Sequence, residues 1–79
     1  MPFVSIKLIE GVFSPEQKRR MIERVTDAMV SVEGESMRAL TTVIVEDNVK
    51  SGDWGLAGRC ATTEFVKDIQ AGKLKSPAH

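Results

Sequence analysis

The residue best placed to do chemistry in this chain is Pro2, which directly follows the first methionine. A small residue in the second position permits removal of Met1, and the new terminus would be a secondary amine at the start of a strand. Burial among apolar groups, or a neighbouring cation, disfavours the charged form of such an amine and lowers its pKa. The free amine can then accept and return protons at neutral pH. This chemistry requires the loss of Met1, because an amide nitrogen has no usable lone pair.

Apart from Pro2, the chain has few of the residues and motifs that usually carry out catalysis. The only histidine is His79 and the only cysteine is Cys60. A Ser-His or Cys-His nucleophile pair, an internal disulfide and a Cys/His metal cage are therefore not available. The glycines match neither a P-loop nor a dinucleotide-binding fingerprint. We expect no metal and no organic cofactor, although Met-Pro taken alone is equally compatible with a proline that merely begins a strand.

The elements that must position Pro2 follow from hydrophobic periodicity. Alternating apolar and polar residues predict a first strand over Phe3–Glu10, ended by a glycine. The run Ser14–Gln17 is a strong helix start, with a capping box and a proline at the first helical position. The helix is predicted from Pro15 to about Glu33, before a glycine. Its apolar stripe comprises Met21, Ile22, Val25, Ala28, Met29 and Val32.

A second strand is predicted over Ala39–Glu46, which is rich in threonine, valine and isoleucine. A turn-rich stretch follows, and the glycines of Trp54–Gly58 predict a short hairpin. Residues Thr62–Gln70 predict a short helix, and we expect a loose tail over Lys73–His79. Strand, helix and strand in this order form a βαβ unit with parallel strands and a right-handed crossover, so the fold class is α/β.

The length of the chain points to assembly. A domain of 79 residues is small, and such chains bury only about 60% of the surface that they expose when unfolded. Small domains usually add disulfides, a metal or partner subunits. Two parallel strands and one helix also leave one sheet face uncovered, whereas parallel sheets normally have both faces buried. We therefore expect a homo-oligomer.

Charge and hydropathy exclude other classes of partner. Eleven basic and eleven acidic residues give a formal net charge of zero, which argues against a binder of nucleic acid or anionic membranes. No apolar run approaches the ~20 residues of a membrane span, and the N-terminus lacks the pattern of a signal peptide. We expect a cytoplasmic protein that acts on a small molecule.

Several short motifs occur in a specific order along residues 2–60. They are Pro2, Ile9–Gly11 after the first strand, Ser14–Lys18 at the helix start, Val43–Glu46 in the second strand and Trp54–Gly58. Together they resemble the 4-oxalocrotonate tautomerase family. The resemblance implies one tautomerase-like domain over residues 1–79, with its core in 2–60 and a C-terminal extension in 61–79. It also implies a C-terminal hairpin and assembly as a dimer or a trimer of dimers, with a hexamer favoured.

Two of the family's site residues carry over to this chain. Pro2 matches the family's general acid/base, which moves a proton between an enol or dienol and its keto form. Trp54 stands where the family has an aromatic residue that lines the pocket and keeps the proline nitrogen desolvated. Trp54 is also typical of a core or interface anchor, and both roles are compatible.

The family's two substrate-binding arginines do not carry over. Val12–Phe13, with one extra residue, stands where one arginine binds a substrate carboxylate, and Thr41 stands where another polarises the substrate carbonyl. Arg38, three residues before Thr41, and Arg59, expected after the hairpin, are candidate replacements. Each by itself is also typical of a solvated surface charge.

The absence of these arginines changes the expected substrate. Bidentate capture of a dicarboxylate is poorly supported without a guanidinium fork. Phe13 and Trp54 would make the site apolar, which favours an aromatic or aliphatic enol or an unsaturated keto acid. The resemblance thus implies a cofactor-independent tautomerase, an isomerase. The alternatives are a hydratase, dehalogenase or decarboxylase of a small unsaturated acid on the same scaffold, and a non-catalytic oligomeric binding protein.

Overall fold

A computed structural model describes residues 1–72 of the chain. Its elements, in order, are β1 (Phe3–Ile9), α1 (Pro15–Glu33), a 3₁₀ helix (Glu35–Leu40), β2 (Thr42–Val49), β3 (Trp54–Leu56), β4 (Arg59–Ala61) and α2 (Thr63–Gln70). This is the predicted β-α-β arrangement followed by a hairpin and a short helix. The predicted tail, Lys73–His79, lies outside the described residues. Within residues 1–72 no helix is both long and apolar enough to cross a bilayer.

Strand β1 ends one residue before its predicted limit and pairs with β2 in a two-stranded sheet. The Thr42 N–H donates to the Pro2 carbonyl at 3.1 Å at one end, and the Glu10 N–H donates to the Val49 carbonyl at 2.8 Å at the other. The start of β1 thus pairs with the start of β2, and the end of β1 with the end of β2. The two strands are therefore parallel, as predicted. After the sheet bond of Glu10 the chain turns at Gly11, whose φ of +78° is a conformation that favours glycine.

Helix α1 has the predicted bounds, and its start confirms the predicted capping box. The Gln17 N–H donates to the Ser14 hydroxyl at 3.1 Å, and the Ser14 N–H donates to the Gln17 side-chain carbonyl at 2.9 Å. Two of the orphan donors at the helix start are thereby satisfied. These interactions span four residues, which is why the sequence was sufficient to place them.

The predicted apolar stripe of α1 was only partly right. Three of its members, Met21, Val25 and Met29, are half-buried, whereas Ala28 is exposed, Ile22 is 37% exposed and Val32 is 89% exposed. The buried residue of the helix is Val30, which was outside the predicted stripe. Periodicity gives the width of an apolar face, but not which edge of it packs against the rest of the fold.

The second strand begins at Thr42 rather than at Ala39, because residues 35–40 form a 3₁₀ helix. An ion pair between Arg38 and Glu35 spans one turn of this helix. The strand also continues past the predicted end at Glu46, because its pairing with β1 persists as far as Val49.

The chain divides into two compact units, which are described separately. The first contains residues 1–7 and 13–46, and the second contains residues 8–12 and the segment from Asp47 onward. The buried side chain of the first unit is Val30, while Ile9, Ala61 and Thr63 are buried in the second. Among the described residues no side chain is less than 2% exposed, so the core of a single chain is thin.

The second unit contains the predicted hairpin. Strands β3 and β4 are antiparallel, with Trp54 opposite Ala61 and Leu56 opposite Arg59. Ala57 and Gly58 join them and have φ values of +51° and +79°. Positive φ at both central residues is typical of the type I′ turn, which matches the twist of the paired strands.

Candidate active site

Pro2 is half-buried and immediately precedes β1. Its carbonyl accepts the hydrogen bond from the backbone of Thr42, which begins β2. The Met1 side chain, by contrast, is 89% exposed. Loss of Met1 would leave the Pro2 ring attached to the sheet through its own carbonyl carbon and this one hydrogen bond.

Thr41, at the position where the resemblance would place a substrate-polarising arginine, is half-buried just after the 3₁₀ helix. Its hydroxyl donates to the Glu33 carboxylate, and the Met37 carbonyl lies 2.9 Å from the same oxygen. The Thr41 N–H also donates to the Arg38 carbonyl at 3.3 Å. Thr41 is thus engaged with the segment that joins α1 to β2.

The guanidinium of Arg38 is surrounded by two carboxylates. It pairs with Glu35, and its Nη1 atom lies 2.8 Å from the Asp27 carboxylate on α1. The hydrogen bond from Arg38 lowers the pKa of Glu35, and its two acidic partners raise the pKa of Arg38. Both edges of the Arg38 guanidinium therefore bind carboxylates of the first unit. No pair of N–H groups is left to bind a substrate carboxylate.

Arg59 lies within strand β4, and not after the hairpin as the sequence indicated. It lines a pocket of about 140 Å³ together with Leu56, Cys60, Ala61 and Phe65. Within residues 1–72 no carboxylate is at ion-pair distance from its guanidinium. The pocket thus combines apolar walls with an unpaired cation.

The two aromatic candidates lie in different units. Phe13 is half-buried in the loop before the Ser14 cap of α1, in the first unit with Pro2 and Arg38. Trp54 is half-buried in β3, in the second unit, two residue pairs along the hairpin from Arg59.

One polar cluster was not predicted from the sequence, in which Glu46 is only the last residue of the predicted second strand. Glu46 is half-buried within β2 and accepts hydrogen bonds from the Ser5 hydroxyl at 2.8 Å and the Lys7 ammonium at 3.3 Å. These two donors, Ser5 first, lower the pKa of Glu46. The alternation of Ser5 and Lys7 along β1 was the available signal, but the strand register was needed to bring Glu46 opposite them.

Comparison with known proteins gives a consistent result. The profile of the family described as "Tautomerase enzyme" matches residues 2–64, so the match begins at Pro2. The chain belongs to the tautomerase family. Probable tautomerase K2 of Dickeya dadantii (strain 3937) is 36% identical over 62 residues, which cover 78% of this chain and 90% of that protein. A probable tautomerase of Helicobacter pylori (strain ATCC 700392 / 26695) is 40% identical over 60 residues, covering 73% and 85% respectively.

Solved structures of 4-oxalocrotonate tautomerase homologues are similar to this tautomerase. YwhB, described as a homologue of 4-oxalocrotonate tautomerase, superposes with a TM-score of 0.63 at 32% identity, over 75% of this chain and 92% of that one. A chain from work on the 4-oxalocrotonate tautomerase isozymes of Methylibium petroleiphilum gives a TM-score of 0.64 at 36% identity, over 82% and 97%. The predicted family and fold class are confirmed, and membership supports an isomerase activity of the tautomerase kind.

Proposed function

We propose that this tautomerase interconverts an enol and its keto form, with the nitrogen of Pro2 as general acid/base once Met1 has been removed. The amine takes the proton of the enol hydroxyl, so that an O–H bond breaks and the carbonyl forms. The electron pair of the carbon–carbon double bond then takes a proton from the Pro2 ammonium, so that a C–H bond forms. Protons and electrons balance without a cofactor.

The observation that carries this proposal is the position of Pro2 in a chain of this family. The family match begins at Pro2, and the residue is half-buried at the start of a strand. Desolvation of the new terminus after the loss of Met1 would favour the uncharged amine over the ammonium, because a charged group loses more hydration on leaving water. A secondary amine in that state has the lone pair that a general base requires.

The surroundings of the candidate residues support a substrate with no more than one carboxylate. Arg38 is held by Glu35 and Asp27, and the Thr41 hydroxyl is held by Glu33. Arg59 is the candidate cation without a carboxylate partner among the described residues. We therefore propose Arg59 as the carboxylate-binding residue, in preference to Arg38.

For the rest of the substrate we propose an apolar body, aromatic or aliphatic. Phe13 and Trp54 are the pocket-lining residues in this proposal, since both are half-buried and apolar. Aromatic side chains of this kind offer large contact area to a ring or an alkyl chain and exclude water from the reacting atoms.

We also propose that the functional protein is a cytoplasmic homo-oligomer, with a hexamer as the favoured count. Ser5 and Lys7 meet Glu46 across the β1–β2 sheet, which shows that odd positions of β1 and even positions of β2 share one face. On that face Phe3 is 64% exposed and Ile44 is 36% exposed. These two apolar side chains share the face with the polar cluster of Ser5, Lys7 and Glu46, and they are stabilised when another copy covers them.

The deciding measurement is the ketonisation of phenylenolpyruvate by protein whose intact mass shows the loss of Met1. Wild type is compared with Pro2→Ala, which keeps a primary amine. It is also compared with a form that carries one glutamate inserted between Met1 and Pro2. That bulky residue retains the methionine and leaves the proline nitrogen as an amide. A positioned acid/base contributes about 10²–10⁴-fold, so kcat/KM falls by that order in the inserted form and by less in Pro2→Ala.

The substrate assignment is tested in the same assay. Arg59→Gln raises KM for this monocarboxylate, whereas Arg19→Gln, on the exposed side of α1, leaves KM unchanged. Full activity in the inserted form would refute Pro2 as the base. A protein without Met1 that is inactive would favour hydration, dehalogenation or decarboxylation of an unsaturated acid, or a binding protein without catalysis.

A further inference from the structure

We propose that Thr41 and Glu33 are positioning residues for Pro2, acting through the hydrogen bond between the Thr41 hydroxyl and the Glu33 carboxylate. This inference rests on the proposed function, since it concerns the same amine. The hydroxyl occupies the position where the resemblance would place an arginine that touches the substrate. In this chain the Thr41 hydroxyl instead bonds to another side chain of the protein, that of Glu33.

The first step of the argument concerns how Pro2 is held. Once Met1 is removed, no covalent bond restrains the nitrogen side of the ring. The orientation of the ring then depends on the torsion between its Cα and carbonyl carbon. The bond from the Thr42 N–H to the Pro2 carbonyl, 3.1 Å long, fixes that carbonyl. The Thr42 backbone therefore sets the place of the carbonyl from which the ring and its amine extend.

The second step concerns what holds Thr42. The preceding residue, Thr41, is anchored twice. Its N–H donates to the Arg38 carbonyl at 3.3 Å, and its hydroxyl donates to the Glu33 carboxylate. A hydroxyl has one proton to donate, so the Met37 carbonyl at 2.9 Å is an alternative acceptor and the ionised carboxylate is the stronger one.

The third step concerns the rigidity of the anchor. Glu33 is the last residue of the 19-residue helix α1, whereas the segment from Gly34 to Leu40 is a short 3₁₀ connection. The hydrogen bond therefore ties the beginning of β2 directly to the end of a long helix. Thr41 and Glu33 are both half-buried, so water competes for this bond less than for an exposed pair. Without the bond, the start of β2 keeps its pairing with β1 and the backbone bond of Thr41 to Arg38, but it loses its side-chain link to α1, and the Pro2 amine is then held less firmly.

The test compares kcat and KM of Thr41→Val, Thr41→Ser and Glu33→Met for phenylenolpyruvate. Valine matches the size of threonine but has no hydroxyl, and serine restores the hydroxyl. Misplacing a reacting group by about 1 Å can cost on the order of 10²-fold. We expect kcat of Thr41→Val to fall by roughly 10- to 100-fold with KM little changed, and Thr41→Ser to recover most of the loss.

Thr26→Val is the matched control. The Thr26 hydroxyl donates to the Ile22 carbonyl at 2.7 Å within α1, so the same substitution removes a comparable bond away from Pro2. We expect its kcat to equal that of wild type. The double variant of Thr41→Val with Glu33→Met should lose no more than the worse single variant, because both substitutions remove the same hydrogen bond.

Three outcomes separate the possibilities. Wild-type kcat in a folded Thr41→Val, by circular dichroism, overturns the proposal, as does an equal loss in Thr26→Val. If Thr41→Val does not fold, the decision passes to Glu33→Met, which has no acceptor for the hydroxyl and whose unchanged kcat would overturn the proposal. Pro2→Ala is run beside them, because unchanged activity there refutes the proposed function, whereas a loss there with unchanged Thr41→Val refutes only the positioning role.

Discussion

Thr63 offers the sharpest test of how the second unit is held together. It is the first residue of α2 and only 9% exposed. Its hydroxyl donates to the Glu10 carbonyl at 2.8 Å, and its N–H donates to the Ser51 hydroxyl at 2.9 Å. One threonine thus joins the start of α2 to residues that follow β1 and β2. The perturbation is Thr63→Val, which keeps the shape of the side chain and removes the donor.

The magnitude follows from what valine leaves behind. The Glu10 carbonyl loses its donor, and an unsatisfied group that is poorly accessible to water costs about 1–3 kcal/mol. The Glu10 N–H remains bonded to the Val49 carbonyl, so the end of the sheet stays paired. Valine also keeps the Cγ2 methyl group of Thr63. This methyl group lies close to Gly11, since a Cβ added to Gly11 would be 3.3 Å from it. We therefore expect the lower part of the range, about 1–2 kcal/mol.

The assay is thermal unfolding followed by circular dichroism. For a domain of this size 1 kcal/mol shifts Tm by roughly 4–8 °C, so Thr63→Val should unfold about 4–16 °C below wild type. All samples are compared at one protein concentration, because Tm of an assembling protein depends on concentration. Thr26→Val serves as control, since the Ile22 carbonyl that its hydroxyl contacts lies within the helix. A Tm of Thr63→Val equal to that of both wild type and the control would refute the reasoning.

Two further predictions concern the exposed face of the β1–β2 sheet. The pKa of Glu46 is lowered by the hydrogen bonds from Ser5 and Lys7, so its stabilising effect is complete above the ordinary carboxyl pKa of about 4.3 and disappears as pH falls through the lowered value. Denaturation at a series of pH values should therefore show Glu46→Gln less stable than wild type near neutrality and equal to it in strong acid; a difference independent of pH would contradict this. Phe3→Lys, at a position that is 64% exposed in the single chain, should give smaller species in native mass spectrometry than wild type, because a buried ammonium opposes association. An unchanged oligomer would show that this face is not an interface.

Prediction from sequence succeeded where neighbours along the chain decide the structure. The capping box at Ser14 and the short hairpin around Ala57–Gly58 depend on residues within a few positions of each other. It failed at the junction between α1 and β2. There a 3₁₀ helix, which contains the Glu35–Arg38 ion pair and is followed by the bonded Thr41, stands where alternation predicted the start of a strand.

The candidate site divides in the same way. Pro2 was identified by its type and its place after Met1, and the family to which the chain belongs supports that choice. The sequence could not decide between Arg38 and Arg59 as the substrate-binding arginine, because both are single arginines near predicted strand ends. The structure separates them, since Asp27, eleven residues before Arg38, neutralises one side of its guanidinium.

The sequence by itself determined the α/β class, the order of the elements and the bounds of α1, and it nominated Pro2 as the proposed acid/base. These depend on periodicity, capping and composition, which are properties of short segments. Only the tertiary structure decided that Thr41 bonds to Glu33, that Glu46 meets Ser5 and Lys7, and that Thr63 bonds to Glu10. Such pairs depend on strand register and on how a helix end is placed in three dimensions. Many alignments of two strands fit the same alternating pattern of apolar and polar residues. The packing of the folded chain selects one of these alignments, and the order of residues alone does not.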